Sequence, residues 1–175
     1  MGKIGDSSKI SGLYIWPCLI DLNTIFFPLR LVLLLGTLSI SSTSSSKTLT
    51  LEIFNGRTDS HLVTFWVKVA ITEEEKAVGL SNHFFLPEKE GLLFIFDEAK
   101  SVKIWTRFMN FPIDIIFINE KGQISRIYRS ALPGSDKIFG TYSPSKFVLE
   151  LNAGDAERFN IKKDDYIIPE KILFK

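Results

Sequence analysis

The sequence predicts a mainly β protein: a compact sandwich- or barrel-like fold of short antiparallel strands with one or two short helices. Three observations carry this. Apolar and polar residues alternate over several short runs, the period of a strand with one buried face. Gly, Pro, Asn and Asp break those runs at close intervals. The chain also holds 15 Phe, 3 Trp and 4 Tyr, an enrichment that suits strands packed on a core.

Residues 1–46 differ in character from the rest of the chain. Leu31–Ile40 is an apolar run with Arg30 just before it and the tract Ser41–Ser46 just after. A positive charge, a short apolar core and then small residues is the layout of a secretory signal. The leading part is long for a signal, and it carries its own apolar patches at Leu13–Trp16 and Ile25–Phe27. A membrane anchor is the rival reading. A spanning helix needs ~20 apolar residues, and Pro28 and Arg30 interrupt the stretch from Ile25 to Ile40. The expectation is a signal peptide or membrane anchor with a Ser-rich linker over 1–46, then a single β domain over 47–175. Either version implies an exported, periplasmic or extracytoplasmic location, with the membrane met only through the N-terminal segment. Cys18, the sole cysteine, lacks small residues before it and is not placed as a lipid attachment site.

Within the body, Leu49–Phe54 alternates and ends at Asn55-Gly56, a turn signal. Leu62–Ala70 alternates again, with Val63, Phe65, Val67 and Val69 on one face. Thr72-Glu-Glu-Glu75 is a capping box that starts a short helix, and Gly79 stops it. Leu92–Phe96, Val102–Phe108, Ile113–Ile118 and Gln123–Ser130 read as strands, the last two joined by a hairpin loop at Asn119–Gly122. Residues 132–146 form a long Pro-, Gly- and Ser-containing loop, a place for a binding or lid element or a plain crossing of the domain. Phe147–Leu151 is a strand, Asn152–Asp155 opens a short helix to about Asn160, and Tyr166–Ile168 closes the domain.

Charge excludes one class of partner. Residues 1–48 carry four basic and two acidic residues, so the remainder holds 21 − 4 = 17 basic and 20 − 2 = 18 acidic. A near-neutral body without a basic cluster argues against nucleic acid. The standard catalytic motifs are absent: no G-x-S-x-G, HExxH, phosphate loop or dinucleotide fingerprint occurs. With no cysteine in the body and only two histidines, His61 and His83, no metal site and no cofactor are expected. His61 falls in a polar loop; His83 follows the capped helix and is a candidate ligand or base.

The stretch Lys103–Asn119 carries the strongest candidates. A turn centred between Asn110 and Phe111 would set Arg107 opposite Asp114. Asp114 alternates in phase with Ile116 and Ile118, so its carboxylate stands in an apolar row and needs a partner. Arg107 is the natural one. One reading makes this a cross-strand ion pair that sets register. The other makes it the charged floor of a ligand site with Trp105 as a stacking surface. Glu150 alternates out of phase with Phe147, Leu149 and Leu151. It faces solvent, the 132–146 loop or Arg107. Tyr142, in that loop, completes the set of ligand-binding candidates: Trp105, Arg107, Asp114, Tyr142, Glu150 and His83.

The order of these pieces resembles a known family. Gly79-Leu80, Gly91–Phe96, Trp105–Ile118, Thr141-Tyr142-Ser143, Val148–Gly154 and Ile161–Asp165 are together similar to the uncharacterised "domain of unknown function 192", over about residues 62–168. The resemblance implies a small, mainly β fold, members often exported or membrane-tethered in prokaryotes, and no established activity. The family's Trp-Met-Lys-Asn-Thr is here Trp105-Thr-Arg-Phe-Met109: Arg107 keeps the basic position, and Phe108-Met109 replace the polar pair. His83 stands where the family has Arg, and Asp164 where it has a turn glycine.

The expectation is therefore a non-enzymatic exported domain that binds a small molecule or an envelope protein. Its rivals are a hydrolase-type enzyme using Asp114 and Glu150, and a purely structural module.

Overall fold

The computed structural model describes residues 47–173; the N-terminal segment read as signal or anchor lies outside them. The described residues are mainly β, as expected. Strands β1 (Thr48–Phe54) and β2 (His61–Ala70) form an antiparallel hairpin. Asn55 shapes its turn by accepting the Arg57 and Thr58 amides at 3.0 and 3.1 Å. Helix α1 (Glu73–Val78) begins at the capping box read from the sequence. The Glu75 amide donates to Thr72 Oγ1 at 3.2 Å, and the Thr72 amide donates to Glu75 Oε2 at 3.0 Å. These two orphan donors are what a helix start must satisfy.

Helix α1 carries the chain to β3 (Glu90–Lys100), which lies parallel to β2. A parallel neighbour cannot be reached by a tight turn, so the helix serves as the crossover. Then come β4 (Lys103–Trp105), β5 (Ile113–Ile118), β6 (Ile124–Ala131), β7 (Ile138–Gly140), β8 (Ser145–Asn152) and two further short helices, α2 (Asp155–Arg158) and α3 (Glu170–Leu173). The main sheet runs β1-β2-β3-β8-β5-β6, and β4 and β7 form a separate two-stranded ribbon. The main sheet is not closed into a barrel.

Both faces of this sheet are covered. Phe65, Leu93, Ile116 and Leu149 pack on one side with Ala156 of α2, Ile161 and Ile172. Leu92, Phe94, Ile115 and Val148 pack on the other with Leu80, Val102 and Phe139 of β7. Tyr128 of β6 ties the ribbon down by donating its hydroxyl to Gly140 O at 2.6 Å. Strand β5 is buried at every position, as a strand with two covered faces must be.

Four details depart from the expectation. The β2–β3 pair is parallel where all neighbours were expected antiparallel. The strand read over Val102–Phe108 is only Lys103–Trp105, and the 132–146 loop contains its partner β7. The last segment makes single bridges from Tyr166 to Phe54 and Gln123 rather than a strand. The short helix α3 comes after it, so there are three helices where one or two were expected.

The proposed Arg107–Asp114 register pair is not formed. Strand β5 pairs with β6 and β8, and β4 pairs with β7, so β4 and β5 do not make a hairpin. The connecting loop is held instead by the buried Thr106, whose hydroxyl donates to Leu132 O at 2.7 Å. Arg107 lies at the surface, bonded to Asp136 at 2.5 Å and stacked 4.7 Å over the Trp105 ring. Asp114 is fully buried, as read, but backbone amides satisfy it. Ser130, Gly154 and Ala156 donate to it at 2.8, 3.1 and 2.9 Å.

The physical reason lies in a bulge and a helix start. Ile113 faces Ala131 while Ile115 faces Tyr128, so β6 carries one extra residue opposite Asp114. Ser130 takes φ 50° there and turns its amide toward the carboxylate. The other two donors are unpaired amides at the start of α2. Three fixed donors cap a buried carboxylate without the side-chain entropy that an arginine would lose.

Removing the carboxylate strands three amides. Asp114→Ala is expected to cost about 3 kcal/mol or more in urea unfolding, and Arg107→Met less than about 1 kcal/mol, since its ion pair is exposed. A large loss from Arg107→Met would restore the guanidinium as a structural partner.

Candidate functional site

The site is built around β8. Its odd positions, Phe147, Leu149 and Leu151, pack on the α2 side. Glu150 therefore projects from the opposite face, with Leu92 and Ile115 as its cross-strand neighbours. Both are apolar, so the carboxyl stands in a dry row. Glu150 is 4% exposed, and its Oε2 has no hydrogen-bond partner among the described residues. Burial pushes the carboxyl up from its usual 4.5 to about 8, so it is a neutral acid at pH 7.

This carboxyl forms the floor of a cleft of about 110 Å³. Lys76 and Leu80 line it from α1 and the turn after it, Phe94 from β3, Lys103 and Trp105 from β4, and Met109 from the following loop. Asn110 fixes the spacing of the two rims: its Nδ2 donates to Ser81 O and His83 O, both at 3.0 Å. Lys76 pairs with Glu73 at 3.0 Å and lies 4.9 Å over the Phe96 ring. Lys103 makes no ion pair among the described residues. Trp105 is 53% exposed and meets Phe108 edge-on at 6.5 Å.

Of the six residues singled out in the sequence, the fold brings two together in this cleft, Glu150 and Trp105. Arg107 covers the Trp105 ring without lining the cleft. Asp114 pairs across from Leu151 and so points to the other face of the sheet. Beside it, burial raises the Asp155 carboxyl; Arg158 opposes that rise and Asp114 adds to it. Tyr142 is fully exposed and lines a separate recess with Arg126 and Tyr128. His83 is half-buried in a recess on the β2 side of α1, with Nε2 at 3.5 Å from Lys68 Nζ. Glu150 and Asp114 on opposite faces cannot flank one reacting bond, so the paired-carboxylate geometry of a hydrolase is not formed by them. Among the described residues no group of three or more His, Cys, Asp and Glu side chains could hold a metal ion.

Sequence reasoning missed Lys76, Phe94, Lys103 and Met109. Lys103 had a signal: it stands two residues before Trp105, on the same side of a strand. Lys76 had none, since only the crossover places α1 over this face.

The family model for domain of unknown function 192, described as an uncharacterized ACR, matches residues 54–168. The chain belongs to this family. No curated protein matches it. Among solved structures it is similar to a candidate transcription regulator from Sinorhizobium meliloti 1021, 27% identical with a TM-score of 0.67, over 70% of this chain and 94% of that one. It is also similar to a protein of unknown function from Novosphingobium aromaticivorans DSM 12444, 27% identical with a TM-score of 0.66, over 72% and 88% of the two chains. The shared fold places the Glu150 cleft on a scaffold common to this DUF192 chain and those proteins.

The state of Glu150 can be read from stability against pH. Below pH 4.5 the folded and unfolded chains both hold the proton. Between pH 4.5 and about 8 only the unfolded chain releases it. Stability therefore falls as pH rises through that window, by up to about 1.4 kcal/mol per pH unit, and levels off above it. Glu150→Gln lacks this term. Its stability relative to wild type should rise by more than about 2 kcal/mol from pH 4.5 to 8 in urea titrations. A gap that stays constant over this range would mean that Glu150 is ionised in the folded protein.

Proposed function

We propose that this DUF192 chain is an exported or envelope-associated β domain that binds a small molecule in the cleft between Glu150 and Trp105. One observation carries the ligand reading. A carboxyl group 4% exposed, with an unpartnered oxygen, sits at the floor of an open cleft beside a half-exposed tryptophan. An unsatisfied buried polar group costs ~1–3 kcal/mol, and such costs gather at sites where a ligand completes the hydrogen bonding. Export rests on the pattern of Arg30, Leu31–Ile40 and the serine tract.

A second reading, an envelope protein as partner, draws on exposed aromatic side chains, of which Phe108 lines the cleft. Phe84, Phe85 and Phe108 are 79%, 69% and 65% exposed, and exposed aromatics are enriched at protein contacts. A nucleic-acid role, of the kind in the Sinorhizobium protein's description, has less support, given 17 basic against 18 acidic residues after position 48.

The test is a thermal-shift screen of the full chain against a metabolite library, repeated on Ala77→Trp. Ala77 is an exposed residue of α1 that lines the cleft, so a tryptophan there fills the cleft without entering the core. A compound at about 100 times its Kd adds about 2.7 kcal/mol of stability. Hits that disappear in Ala77→Trp support the cleft; hits that persist, or none at all, remove it. Finding the tagged chain wholly in the cytoplasmic fraction would end the export reading.

A further inference from the structure

The cleft's own chemistry narrows its occupant. Thirteen residues line it, and Glu150 is the only acidic one among them. Lys76 and Lys103 are the two cationic ones. Lys76 is already neutralised by Glu73 and held over Phe96, whereas Lys103 makes no ion pair among the described residues. Arg107 lies behind Trp105, engaged with Asp136. The strands beneath add no charge: Phe94 and Leu92 come from β3, and Ile115 from β5. A cationic ligand would meet the unneutralised Lys103 ammonium, and an anionic one would be drawn in by it.

We propose that the occupant is a small organic acid, its carboxylate held between the Lys103 ammonium and the hydrogen-bond donor that Glu150 supplies at the floor, with its apolar body against Trp105. This deepens the ligand reading above and rests on it. A hydrogen bond from a neutral acid to a carboxylate is charge-assisted, short and strong. Glu150 serves as that donor only while it holds its proton, and burial between Leu92 and Ile115 keeps the proton on at neutral pH. Above about pH 8 the same group becomes a second anion and repels the ligand. The cleft's size fits a compact acid, with a ring at the mouth where half of Trp105 is free to stack.

The experiment uses three probes of one shape and different charge, benzoate, benzamide and benzylamine, titrated calorimetrically into the full chain at pH 6.5 and pH 9. Benzoate should bind at pH 6.5 at least about tenfold more tightly than either analogue, and lose about tenfold at pH 9. Lys103→Met should weaken benzoate about tenfold. Glu150→Gln, whose amide donates at either pH, should abolish the pH dependence of benzoate binding. Benzylamine binding more tightly than benzoate would overturn the inference, and so would a pH dependence unchanged in Glu150→Gln. Should no probe bind while a library compound still binds and is blocked by Ala77→Trp, the cleft stands as a site and the organic-acid chemistry falls. Should neither bind, both readings fall together.

Discussion

The Asp114 carboxylate is the interaction on which the rest of the fold depends. It collects three backbone amides from two elements far apart in the chain: the bulge of β6 and the first turn of α2. Around it β5 is buried on both faces and pairs with β6 on one edge and β8 on the other. A carboxylate at such a depth is tolerable only when every lone pair is used. Satisfying it fixes where β6 bends and where the chain after β8 turns back over the sheet. The Thr106 hydroxyl performs a smaller version of the task, holding the loop after Trp105 against Leu132.

The two buried carboxyls of this sheet are opposites. Asp114 is saturated with donors, whereas Glu150, on the other face, leaves an oxygen without one. Saturation serves structure. Want of a partner serves recognition, because the free energy that a ligand gains there is the hydrogen bond the protein has not made for itself. The rims add preorganisation: Asn110 links segments 29 and 27 residues apart, so little ordering is left for binding to accomplish.

Much of the fold was legible in the sequence because it depends on local rules. The capping box at Thr72, the Asn55 turn and the hairpin at Asn119–Gly122 involve neighbours in the chain, and alternation marks strand faces wherever it is regular. The misplaced pairing has one cause. Pairing Arg107 with Asp114 assumed that neighbours in sequence are neighbours in the sheet, yet β8 is inserted between β3 and β5, a long-range choice that no local pattern reveals. Glu150 was open to a solvent-facing reading for a related reason. Alternation tells which face a residue takes, but not whether that face is wet, and here α1 and the β4–β7 ribbon cover the second face. The site was half legible. Trp105 and Glu150 stood out by chemistry, while Lys76 and Phe94 reached the cleft only through the parallel crossover.

The central position of β8 has a kinetic consequence. Gly91 of β3 pairs with Leu151, and Ile113 of β5 with Asn152, so the sheet's middle is closed by residues 151 − 91 = 60 and 152 − 113 = 39 positions further on. The N-terminal hairpin β1–β2 can form early, but the halves on either side of β8 have no shared edge until the last third of the chain arrives. Pairings of such separation slow folding, and small domains dominated by non-local strand pairing fold in roughly milliseconds to seconds. During that interval the inner edges of β3 and β5 stand open, with unmatched backbone groups along apolar strands. Such edges are where another chain can add itself. Substitutions that slow the docking of β8 between β3 and β5 therefore lengthen the time for which those edges stand open.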